Sequence, residues 1–284
     1  MKSAMGNKGF FVDRATQAWV RATGRPIVFE QYPWLIGPIG NEGQIADEWL
    51  DREAAALGGS LVEGGGLLCR MSELGGEGFD PARLAKPIVE FYEQTSDWRM
   101  DLWSQWSPVA WPVGWLLSTV FSRRLQQFDL PLRPLDTADG IDSRIVQIID
   151  KDESRVGAAW LRTFRATGQT IYSGWYGTAI LPGAVRPSLR VVFPLPNGSV
   201  TVFLCPEVRG DGSLVLRSPI GPFGSDGAYL VVSRKDGVSG WVRRVPLAEE
   251  FVVSVDRDGA LRTDHTLALW AIPVVRLHYR IGKI

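Results

Sequence analysis

Only two cysteines and two histidines occur in 284 residues. Cys69 and Cys205 are far apart and show no CxxC spacing, so neither a zinc site nor a disulfide framework is indicated, and a single bridge stays open. Charge of either sign is not in excess. With 31 basic and 31 acidic residues the net charge is zero, which removes the electrostatic pull toward nucleic acid. The amino terminus has no continuous apolar core before Asp13 and Arg14, and position 2 is Lys rather than the Gly that myristoylation requires. A reducing, cytoplasmic setting is the resulting expectation, with no cofactor. Motifs are also missing: there is no GxSxG, HExxH, GxxxxGK[ST] or strand-linked GxGxxG. The triple glycine 64–66 lacks a basic residue suited to phosphate.

What is present is a change of pattern along the chain. From about Asp13 to Gln127 the pattern reads as helical; beyond Ser143 it becomes closely spaced strands. A helix is predicted over Pro81–Trp106, capped by Asp80, with Leu84, Ile88, Phe91, Trp98 and Leu102 near helical spacing. A second is predicted over Asn41–Leu57, and the glycine-rich stretch after it reads as loop. Prolines and a glycine in LPLRPLDTADG, 130–140, mark a linker. Then come eleven strand-like runs, from SRIVQIID to PVVRLHYRI, divided by Asn197-Gly198, Asp211-Gly212, Asp236-Gly237 and Asp258-Gly259. The fold class expected is α+β: a mainly helical region 1–130 with a Trp-rich cap, packed on an antiparallel domain 131–284 that is barrel-like, with a sandwich as the alternative.

Tryptophan is as frequent as phenylalanine, twelve of each, and five lie between Trp98 and Trp115. The stretch 102–122 carries no charge and is long enough to cross a bilayer, but Ser104, Gln105, Pro108 and Pro112 interrupt it. Core, lid over a cavity and peripheral membrane contact are three roles it fits. Glu90, Glu93, Asp97 and Asp101 recur at three or four residues, which on a helix makes one acidic stripe, either a solvated face or an acid/base and cation site. Strand alternation puts His265 with Leu261, Leu267 and Leu269, facing inward, and His278 with Arg276 and Arg280 in a basic stripe. His265 is then a satisfied core histidine or a polar anchor in an apolar cavity. Arg162, Arg165, Arg276 and Arg280 are the cations available for an anion site, or are simply solvated.

FYEQT (91–95), SRRLQQFDLPL (122–132) and HTLALWAIPVVRLHYRI (265–281) resemble the soluble carboxy-terminal region of the YndJ-like family of uncharacterised bacterial proteins, over roughly 85–281. The resemblance implies a soluble part that is joined elsewhere in the family to a membrane-embedded half. It implies no activity and transfers no site residues. From the residues themselves, the leading expectation is a domain that binds a lipophilic small molecule in a β cavity. Asp101, Trp103, Trp106, Tyr172, Trp175, Tyr176 and His265 are the candidate ligand residues, and no metal is expected. The rival expectations are a cofactor-independent enzyme on an isoprenoid or polyketide-like substrate, using Asp101 or His265, and a structural partner of a membrane protein. The chain is expected in the supernatant of a detergent-free lysate; recovery only from detergent-extracted membranes contradicts this.

Overall fold

The computed structural model describes residues 6–40, 46–107 and 140–284. Three helices are described: α1 (Gly6–Thr23), α2 (Glu48–Ala56) and α3 (Lys86–Glu93). Three strands arise before residue 107: β1 (Arg25–Val28), β2 (Ser60–Glu63) and β3 (Trp98–Trp106). The remaining eleven are β4 (Ile141–Ile149), β5 (Arg155–Phe164), β6 (Thr170–Ala179), β7 (Ser188–Leu195), β8 (Gly198–Val208), β9 (Leu214–Ser218), β10 (Gly227–Ser233), β11 (Ser239–Val245), β12 (Leu247–Val255), β13 (Leu261–Leu269) and β14 (Ile272–Lys283). They coincide with the eleven runs expected from the sequence, and every ladder between named strands is antiparallel. The Asp-Gly turns work as their chemistry requires: Asp256 Oδ1 accepts from the N–H groups of Asp258 and Ala260, and Gly259 takes φ +79°.

Strand β8 belongs to two ladders on one side. Its first half pairs with β10, Gly198 opposite Val232 through Phe203 opposite Gly227; its second half pairs with β9, Cys205 opposite Arg217 onward. One branch therefore continues β10–β11–β1 and the other β9–β12–β13–β14–β3, while β7, β6, β5, β4 and β2 extend from the opposite edge of β8. The fork leaves three ends, and each is covered by a strand from the amino-terminal third: β1 on β11, β2 on β4 and β3 on β14. Each end is thereby covered over part of its length: Val146–Ile149 of β4, Ser239–Val242 of β11 and Val275–Lys283 of β14.

The barrel expectation is corrected here. β3 and β4 approach one another, but no ladder joins them among the described residues, so the sheet is open. Tight turns specify which neighbours pair; closure depends on the summed tilt and stagger of all strands, which no local motif encodes. The β4–β7 run and the β9–β12–β13–β14–β3 branch nevertheless turn their inner faces to one core, in which Trp98, Leu102, Ile145, Trp160, Leu216 and Leu277 are all buried, while Tyr229, Val231 and Val242 of β10 and β11 pack with Ile27 of β1 in a separate cluster.

The helix expected over Pro81–Trp106 is also corrected. A 3-10 turn at Pro81–Arg83 precedes α3, Gln94 leaves helical geometry at φ −141° and ψ 51°, and Trp98–Trp106 is β3. Trp98, Met100 and Leu102 are buried while Arg99, Asp101 and Trp103 are exposed, a period of two. Trp98 and Leu102 are four apart, a spacing that satisfies both periods, and this made a strand look like the continuation of a helix. The acidic stripe dissolves with it. Glu90 pairs with Lys86 at 3.5 Å and Lys283 at 2.7 Å, and Glu93 accepts from the Met71 N–H at 2.7 Å. No group of three or more His, Cys, Asp and Glu is arranged to hold a metal among the described residues. The second helix begins at Glu48 rather than Asn41, with 41–45 outside the described residues. The glycine-rich loop contributes β2 and a 3-10 turn at Met71–Leu74, and its Leu67, Leu68, Met71 and Leu74 are core. Of the Trp-rich segment, 102–106 ends β3 and 108–122 lies outside the described residues.

The outer face of β4–β7 carries a smaller core under α2, where Trp49 and Leu50 meet Val146, Ile148, Leu161 and Trp175. The Trp49 indole N–H donates to Ser173 Oγ at 2.7 Å. Arg190 lies beneath the same helix, over the Trp175 ring at 5.0 Å, and burial pushes its guanidinium down to about 10 against the pull of Glu53. Trp175 itself rests across two glycines: a Cβ at Gly157 or at Gly177 would fall 2.4 Å from its ring. Gly157→Ala is therefore expected to cost about 1–3 kcal/mol by overpacking. Adding Trp175→Phe should cancel part of that loss, and urea midpoints of the two single and one double variants measure it; additive losses contradict this packing.

Candidate ligand-binding cavity

Alternation on each strand decides what faces the shared interior. On β5 the residues Ala158, Trp160, Arg162 and Phe164 point one way, and Ala159 and Leu161 point to the α2 side. On β6, Tyr172 and Tyr176 face inward, whereas Ser173 and Trp175 face α2. On β12–β14, Glu249, Phe251, Thr263, His265, Leu277 and Tyr279 complete the wall. Between these faces lies a cavity of about 140 Å³, with Phe91 and Tyr92 of α3 and Leu67 of the glycine-rich loop at its boundary.

Arg162 is the most unusual group in it. The residue is 3% exposed, and its guanidinium carbon lies 3.5 Å from the Trp160 ring centroid, 4.7 Å from that of Tyr172 and 5.5 Å from that of Tyr279. Tyr279 offers its phenol as a hydrogen-bond partner, but Nε and Nη1 are buried without one. No carboxylate pairs with Arg162 among the described residues. Aromatic faces recover part of the cost of burying this cation, though they do not replace hydrogen-bond acceptors. Burial raises the phenols of Tyr92, Tyr172, Tyr176 and Tyr279 well above their ordinary value, with Arg162 pulling each of them back in part, so they remain neutral hydroxyls.

The other polar pole is His265 with Glu249. His265 is 8% exposed and stacks on Phe251, its cross-strand neighbour, at 3.6 Å between centroids and 16° between planes. Its Nε2 lies 3.3 Å from Glu249 Oε2 without hydrogen-bond alignment, and neither ring nitrogen has a hydrogen bond among the described residues. Its chain neighbour Asp264 is engaged elsewhere: Asp264 Oδ1 bonds His278 Nδ1 at 2.5 Å on the exposed side.

Of the residues singled out from the sequence, Tyr172, Tyr176 and His265 line this cavity. Trp175 faces α2, Asp101 and Trp103 are exposed on β3, and half-buried Trp106 packs at the rim of the main core. Arg165 pairs with Asp142 on the surface, and Arg276 and Arg280 are exposed, so the structure sets Arg162 apart from the other three arginines. Glu249, Phe251 and Tyr279 were missed. For Tyr279 the signal was available, since placing Arg276, His278 and Arg280 outward puts Leu277 and Tyr279 inward. Nothing local marks Glu249, because its neighbours Ala248 and Glu250 give β12 no clear alternation there.

The fold and the cavity together define an open, forked antiparallel β domain wrapped around an internal, mostly apolar chamber. No family model and no solved structure matches the chain. It is 30% identical over 230 residues to a protein of Bacillus subtilis (strain 168) described as "Uncharacterized membrane protein YndJ", a match covering 77% of this chain and 38% of that relative. The chain is YndJ-like, and it spans well under half of the relative's length. Among the described residues no helix is long and apolar enough to cross a membrane.

His265→Leu should leave the Glu249 carboxylate facing an apolar neighbour, at a cost of about 1–3 kcal/mol. Glu249→Gln in the same chain should recover part of it. Thermal melting of the single and double variants at neutral pH checks this coupling, and independent losses would show that the 3.3 Å approach carries no energy.

Proposed function

We propose that this domain binds a compact lipophilic molecule in the cavity between its β4–β7 and β12–β14 faces. The observation that carries the reading is the cavity itself: about 140 Å³ of space inside an otherwise well-packed core, walled mainly by Leu, Val and aromatic side chains. An engineered apolar cavity of about 150 Å³ in another protein accepts benzene, which sets the ligand's scale at roughly six to ten non-hydrogen atoms. The apolar side chains around this space lack packing partners on the side that faces it. A ligand that fills it restores the missing contacts.

A second reading, proton transfer on the bound molecule, is favoured by the contact of Glu249 with His265 inside the same chamber. Asp101 has no part in it, being exposed on β3. We place the domain on the cytoplasmic side of a membrane and in contact with it. Support comes from the unpaired Cys69 and Cys205, from the description of the relative as a membrane protein, and from Trp270 and Ile272, both exposed at the β13–β14 turn.

Benzyl alcohol is a neutral probe of the required size. At ten times its Kd it should stabilise the chain by about 1.4 kcal/mol, raising Tm by about 3 °C. Val202→Phe, which pushes a ring into the chamber, should abolish that increment. An increment that persists in Val202→Phe would place the probe elsewhere and sink the reading.

A further inference from the structure

Resting on the cavity reading above, we propose that the ligand is an acid: a compact apolar body carrying one carboxylate, which sits against the unpartnered nitrogens of Arg162. A permanently cationic side chain is 97% removed from solvent, lines the chamber, and keeps Nε and Nη1 without any acceptor. Burying a guanidinium in this state is unfavourable unless an anion completes it, because both the charge and the two donors lose water without replacement. The chain does not supply that anion among the described residues. Glu249, the carboxylate in the wall, makes its contact with His265.

The surroundings favour a carboxylate over a larger anion. The tyrosines of the chamber stay protonated and can donate to a second carboxylate oxygen, as at Tyr279, which is already in hydrogen-bond contact with the guanidinium. A chamber of 140 Å³ has room for a benzoate-sized molecule. Trp160, Tyr172 and Tyr176 line the same wall, offering ring edges and faces to an aromatic or short aliphatic body. Arg162 thus selects the head group and the apolar wall selects the size.

Isothermal titration of the full chain with benzoate and with benzyl alcohol separates this inference from the reading beneath it. Benzoate should bind at least tenfold more tightly than benzyl alcohol. Arg162→Met should lose that preference while keeping benzyl alcohol, and Arg276→Gln, on the exposed side of β14, should keep both. Equal affinities in the unaltered chain, or an undiminished preference in Arg162→Met, overturn the acid assignment and leave the cavity reading standing. Binding of neither compound overturns the cavity reading itself. Should Arg162→Met fail to fold, Val202→Phe decides: it retains the cation but blocks the chamber, so benzoate binding that survives it overturns the assignment.

Discussion

The pairing of β8 with two different strands along one edge is the constraint on which the rest depends. Because its first half is committed to β10 and its second to β9, the sheet cannot stay planar. The β9–β12–β13–β14–β3 branch turns away from β10 and lays its inner face opposite that of β4–β7. Residues far apart in sequence then share one interior: Arg162 and Tyr172 from the β4–β7 side, His265 and Tyr279 from the β12–β14 side. Their side chains do not fill it completely, and the remaining chamber holds the least compensated polar groups of the main core.

Edge protection couples the two halves of the chain. Three short strands from the amino-terminal third lie on the three ends of the forked sheet, and α3 with Leu67 walls the chamber from the same third. The early segment is therefore the source of both the β edges and part of the site. Charged contacts at the surface repeat this stitching: Arg144 of β4 reaches Glu63 of β2 at 2.5 Å and Asp47 at 3.1 Å, and Lys283 of β14 reaches Glu90 of α3 at 2.7 Å. Such exposed pairs contribute less than about 1 kcal/mol each, so they fix register more than they stabilise. Apolar burial carries the energy.

Polar groups are distributed unequally between the main core and the core under α2. Under α2, Arg190 donates to the Ile36 carbonyl and faces Glu53, so its burial is partly compensated within the chain. Inside the chamber, Arg162 has aromatic faces and one phenol. Two buried arginines of similar exposure thus differ in what surrounds them, and the difference coincides with the presence of open volume beside one of them.

The sequence by itself determined the eleven carboxy-terminal strands, the antiparallel hairpins at the tight turns after β7, β8, β10 and β12, and the inward face of His265, because turn residues and two-residue alternation are local and act within one hairpin. It also carried the kinship with YndJ. It misassigned Trp98–Trp106, where apolar residues four apart fit a helix and a strand alike. Trp175 was selected beside Tyr172 and Tyr176 for its ring, although an odd step along β6 sends it to the opposite face. Only the tertiary structure decided that, among the described residues, the sheet forks and stays open, β1, β2 and β3 cover its ends, and Arg162 loses water without gaining a counter-ion. These outcomes depend on pairings beyond any single hairpin, from β8 with β10 at the fork to β1 with β11 near opposite ends of the chain, and on the volume left between two faces, and no window of sequence encodes either.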